Sequence, residues 1–104
     1  MSAITPEGTT KLKNRAASGT KRPSMYKVIM LNDNYTTMEF VVDILKKIFN
    51  KTAIEATEIM LSVHHNGKGV AGIYSYDIAM TKIKQVKDEA KKSGFPLKCI
   101  LEKE

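Results

Sequence analysis

Residues 25–31, MYKVIML, are apolar on both alternating sets, with Val28 and Met30 on one and Ile29 and Leu31 on the other. That pattern predicts an interior strand with both faces at least partly covered. A polar stretch, NDNYTT, follows. Apolar residues then recur at Met38, Val41, Val42, Leu45, Ile48 and Phe49. This spacing predicts a helix, with Phe40 and Ile44 widening its apolar face and Asn50 ending it. Thr36-Thr37-Met38-Glu39 has the form of a capping box. In it, the Thr36 hydroxyl would accept from the Glu39 amide, and Glu39 would reach back to the Thr36 amide.

A second capping box, Thr52-Ala53-Ile54-Glu55, opens a second predicted helix. Ala56, Met60 and Val63 form one row on it, and Thr57, Leu61 and His64 the next, before Asn66-Gly67 ends it. Residues 68–74, KGVAGIY, read as a strand. Ser75 is a candidate N-cap for a third helix, whose apolar stripe is Ala79, Ile83, Val86 and Ala90. Gly94 and Pro96 supply its stop signal. Residues 97–102, LKCILE, read as a last strand with Leu97, Cys99 and Leu101 on one face. The order β-α-α-β-α-β predicts an α+β fold, a small three-stranded antiparallel sheet with three helices packed on it.

Composition narrows the class. A chain of 104 residues, 42% apolar, is one globular domain that needs no staples to hold a core. One cysteine, Cys99, permits no internal disulfide. No apolar run is long enough to cross a membrane, and MSAITPEGTT lacks the apolar core of a secretion signal, so a cytoplasmic location is expected. The net charge of +6 is unevenly spread. Residues 1–23 hold five bases and one acid, whereas residues 24–104 hold twelve bases and ten acids. The first segment is also poor in large apolar side chains, which predicts a flexible basic extension (1–23) ahead of a folded core domain (24–104).

Candidate chemistry is sparse. Asn32-Asp33-Asn34 is explained by turn formation, since Asn and Asp side chains bond nearby backbone. His64-His65 at a helix end is explained by the helix dipole, and without further ligands no metal site is expected. Met25, Met30, Met38, Met60 and Met80 fall mostly at core positions by periodicity, although methionine also suits adaptable pockets. Neither a nucleophile elbow nor a phosphate-binding loop is present. Residue patterns thus favour an interaction module over an enzyme.

The string PSMYKVIMLNDNYTTMEFVVDIL, residues 23–45, resembles the ClpS family, small adaptors of bacterial Clp proteases in the N-degron pathway. ATEIMLSVHHNGKG (56–69), Thr81-Lys82 and PLKCILE (96–102) extend the resemblance over residues 23–104. The resemblance implies a non-enzymatic receptor, without a cofactor, for proteins whose first residue is Leu, Phe, Tyr or Trp. Its partners would be those substrates and the N-terminal domain of a Clp AAA+ unfoldase of ClpA or ClpC type, with neither nucleic acid nor membrane. By resemblance, Asn32, Asp33, Asn34 and His64 bind the substrate ammonium. Thr36, Met38, Val41, Met60, Val63 and Leu97 form the side-chain pocket, and Met38 crowds out β-branched residues. Tyr35, Asp77 and Lys82 map to the unfoldase contact, and the basic extension to the segment that enters the unfoldase pore.

Two positions depart from the family pattern. Asn34 stands where the family has a second aspartate, and Thr37 where it has a proline that starts the helix. Lacking the aspartate's charge at Asn34 implies weaker attraction for the ammonium and a narrowed or altered degron set. The competing expectation is a small basic nucleic-acid-binding protein using residues 11–22.

Overall fold

The computed structural model describes residues 23–104; the predicted flexible extension otherwise lies outside the described residues. In chain order the elements are β1 (Met25–Leu31), α1 (Met38–Lys47), α2 (Ala53–Asn66), β2 (Lys68–Ser75), α3 (Tyr76–Ser93) and β3 (Lys98–Lys103). The strands form one antiparallel sheet in the order β2-β1-β3, so the expected fold is the one observed.

Strand β1 is central, which explains its apolar run. Val28 and Met30 are fully buried toward the helices, in one cluster with Ile44, Leu45, Val86 and Ala90. Ile29 points the other way, yet it is also buried, because Val70 of β2 and Ile100 of β3 pair beside it. The second face is therefore covered by cross-strand neighbours rather than by helices. Register shifts between Val28 and Ile29, where β2 carries one extra residue, Ala71. That bulge turns the Ala71 side chain into the core as well.

Helix starts match the sequence in two cases and differ in one. The Thr52 hydroxyl accepts from the Glu55 amide at 3.1 Å, and Glu55 accepts from the Thr52 amide at 3.0 Å, completing the box expected there. These bonds hold the Glu55 carboxyl below its ordinary range. Ser75 is the N-cap of α3 by position, although its hydroxyl makes no capping bond. At α1 the expected box at Thr36 is not formed. Thr37 is the N-cap instead, and its hydroxyl accepts from the Phe40 amide at 3.1 Å. The reason is local: the Thr36 amide, which Glu39 would have to accept from, is already donated to Asp33.

Helix ends follow glycine chemistry. Gly67 (φ 88°) and Gly94 (φ 77°) take the left-handed conformation that closes α2 and α3. Helix α1 stops regular turns at Lys47, and Asn50 (φ 55°) completes the exit. The methionines correct an expectation: only Met30 is fully buried, whereas Met25, Met38 and Met80 are exposed and Met60 is half-buried. Met38 and Met60 border a cavity.

Candidate functional site

The polar stretch after β1 is built by one carboxylate. Asp33 Oδ1 accepts from the Tyr35 amide at 2.8 Å and the Thr36 amide at 2.7 Å, and Oδ2 accepts from the Thr36 hydroxyl at 2.7 Å. Partial burial by itself pushes the Asp33 carboxyl up, but these three bonds outweigh it and hold the group below its ordinary range. The loop is also tied to α2, because the Asn32 amide donates to the Gly67 carbonyl at 2.9 Å. That bond brings the end of β1 against the last turn of α2, where His64 sits.

An open cavity of about 460 Å³ lies at this junction. Its polar side consists of Asn32, Asp33, Asn34, Thr36 and His64, and its apolar side of Met38, Val41, Met60 and Val63. The loop after β1, the start of α1 and the second half of α2 thus converge. Asn32, Asn34 and His64 expose their side chains, while Val41 and Val63 are buried and form the floor. Packing under that floor is tight. A methyl group added at Gly69 would sit 2.9 Å from Val63 Cγ2 and 3.2 Å from the Ile59 carbonyl oxygen, so glycine lets α2 approach β2 there.

Leu97 is not among the residues bordering this cavity. It is buried in the same core cluster as Val41 and Val63, and borders a different cavity beside α3 and β3. Thr37 and Glu39 border the site although no role in it was expected of them. Their sequence signal was a capping one. With no box at Thr36, the Glu39 carboxylate is left exposed on the cavity rim.

The three residues mapped to a second surface divide. Asp77 and Lys82 border one shallow groove of about 220 Å³ with Ile78, Thr81 and Gln85 on α3. Tyr35 stands apart from that groove on the loop, 75% exposed. Lys82 is half-buried, and its Nζ donates to the Ile48 carbonyl at 2.7 Å while lying over the Phe49 and Tyr74 rings, 5.9 and 5.2 Å from their centroids. No group of three or more His, Cys, Asp or Glu side chains among the described residues is arranged to hold a metal. Among the same residues no helix is long and apolar enough to cross a membrane. Burial pushes the Cys99 thiol up to about 12, which leaves it protonated and a poor nucleophile.

The family described as ATP-dependent Clp protease adaptor protein ClpS matches residues 21–100. The chain is 56% identical over 90 residues to the ATP-dependent Clp protease adapter protein ClpS of Rhodospirillum centenum, covering 86% of this chain and 83% of that one. It is 58% identical over 84 residues to the same-named protein of Acetivibrio thermocellus, covering 81% and 85%. Among solved structures, Agrobacterium tumefaciens ClpS2 bound to L-phenylalaninamide superposes with a TM-score of 0.77 at 41% identity, covering 80% of this chain and all of that one. The chain belongs to the ClpS family of Clp protease adaptors.

Proposed function

We propose that this adaptor is a receptor for protein N-termini that begin with Leu, Phe, Tyr or Trp, and that it passes them to the AAA+ unfoldase of a Clp protease. Residues 24–104 form the receptor domain in this reading, and the unfoldase is of ClpA or ClpC type. The observation that carries it is the pairing, in one cavity, of a rim rich in hydrogen-bond acceptors with an apolar floor. A chain N-terminus has matching chemistry, with an ammonium of three donors beside the first side chain. L-phenylalaninamide, the ligand of the Agrobacterium relative, is itself such a group: a free amine on phenylalanine, with an amide where the next peptide bond would begin.

Each side chain has a definite task. The Asn32 amide oxygen and a neutral His64 ring nitrogen accept from the ammonium. Asp33 has three of its roughly four acceptor sites taken by the loop, so it acts mainly by shaping the loop and by its field. Glu39 adds a second negative charge at the rim. Met38, Val41, Met60 and Val63 receive the apolar side chain. Burying a Leu or Phe contributes roughly 1.5–3 kcal/mol, and charge-assisted hydrogen bonds about as much again. Both parts are needed for useful affinity, so the cavity reads amine and side chain together.

Fluorescence anisotropy with labelled peptides starting in Phe, Leu, Ile or Met, and with acetylated Phe, tests the reading. The expected result is tight binding of free Phe and Leu, at least about tenfold weaker binding of Ile because overpacking against Met38 costs about 1–3 kcal/mol, and loss on acetylation. Equal binding of free and acetylated Phe peptides would exclude the receptor role.

A further inference from the structure

A second cavity, of about 480 Å³, lies on the other side of the core between α3 and β3. Half-buried Ile83, Phe95 and Cys99 give it an apolar wall, and Lys87, Lys91 and Lys98 surround it. Among the described residues no carboxylate borders it. Neighbouring charges on α3 are paired, Lys84 with Asp88 and Lys92 with Glu89, but among the described residues no carboxylate pairs with Lys87, Lys91 or Lys98. The functional site uses none of these three lysines.

The cavity also adjoins an unpaired strand edge. Strand β3 pairs only with β1 among the described residues. The Glu104 amide donates to the Met25 carbonyl at 2.9 Å, which sets the phase of the ladder. By the alternation of antiparallel pairs, residues 98, 100 and 102 turn their backbone groups to β1, and Cys99, Leu101 and Lys103 turn theirs to the open edge. Free backbone donors and acceptors therefore run beside an apolar cavity ringed by cations.

We propose that the α3–β3 groove is a docking site for an extended acidic segment of a partner protein, which adds to the edge of β3 and places an apolar side chain in the cavity. Charge selects this occupant. Residues 1–22 of the chain itself hold five bases and one acid, so they are repelled. A second copy pairing edge to edge would bring the lysines of β3 and α3 together, the usual protection of an edge strand. An acidic strand meets no such barrier, and its backbone supplies the bonds that the edge lacks.

The probe is a short, N-acetylated, fluorescein-labelled peptide of alternating Glu and Phe, whose blocked amine keeps it out of the amine-reading cavity. Saturable binding to the full chain is expected. It should weaken at least about tenfold when Lys replaces Glu in the peptide, or in the Lys87→Glu/Lys91→Glu protein, whose thermal midpoint should stay near that of the parent. Methylating alternate backbone nitrogens of the peptide should abolish binding by removing the strand pairing. Absence of saturable binding overturns the proposal, as does equal affinity of the methylated peptide. Binding of dodecanoate in place of the peptide would assign the cavity to small anionic amphiphiles and overturn it too. Peptide binding unchanged by the double charge reversal would place the contact elsewhere, with the same consequence.

Discussion

Within the polar loop, a single residue decides what its neighbours do. Asp33 draws on two amides and a hydroxyl; with the Thr36 amide taken, no capping box forms at Thr36, and Thr37 caps α1. Spacing could not reveal this, because Thr36 with Glu39 and Thr37 with Phe40 are equally good local pairings. The carboxylate three residues upstream chooses between them. Its depressed folded-state value has a consequence for stability. The contribution is full above the ordinary aspartate value and is lost as pH falls below it through the folded value. Urea unfolding of the parent and Asp33→Asn should therefore differ at about pH 6, and the gap should narrow as pH falls below the ordinary aspartate value of 3.8; a gap that does not change with pH would overturn the linkage. Asn34 poses the opposite question, since it is exposed and the family aspartate would place a charge there. Asn34→Asp should raise affinity for a free Phe peptide about three- to tenfold at low salt, and less at high salt. Equal or weaker affinity in anisotropy titrations would show that Asn34 does not limit ammonium binding.

Local signals fixed most element boundaries. The Thr52 box, the Gly67 and Gly94 exits and the alternation in β3 all act within about four residues, so they could be read directly from spacing. The bulge at Ala71 could not, because it depends on how β2 meets β1. Lys82 is the clearest case of long-range control. Its ammonium crosses 34 positions of sequence to bond the Ile48 carbonyl, one of the acceptors that the end of α1 leaves without a partner. It also sits over two aromatic rings, so one side chain ties α3 to the end of α1 and to β2. Lys82→Met keeps the length of the side chain and removes the charge. It should lower unfolding stability by about 1–2 kcal/mol, read as a shift in urea midpoint at constant slope. No shift would mean that the ammonium adds nothing to the stability of the fold.

Across the whole chain, charge and binding geometry are segregated. The cavity that would read a substrate N-terminus is assembled by residues 32–64, within a part of the chain whose bases and acids nearly balance. Residues 1–23 carry most of the net charge. The convergence of loop, α1 and α2 was legible through family resemblance rather than periodicity, because three separate segments must meet and no local rule encodes that meeting. Leu97 marks the limit of the inference: it shares the core cluster with Val41 and Val63 but borders the cavity behind it. If recognition and delivery are separate tasks, deleting residues 1–22 should separate them. The truncated chain should bind a free Phe peptide within about twofold of the full chain, since it keeps every described residue that borders the cavity. Degradation of a Phe-initiated substrate by the unfoldase and its protease should nevertheless be lost. The same deletion bears on the nucleic-acid alternative, because DNA binding that depends on residues 11–22 would disappear with it, steeply salt-dependent until then. Loss of peptide affinity on truncation would show instead that the basic segment takes part in recognition, and the division of labour would fail.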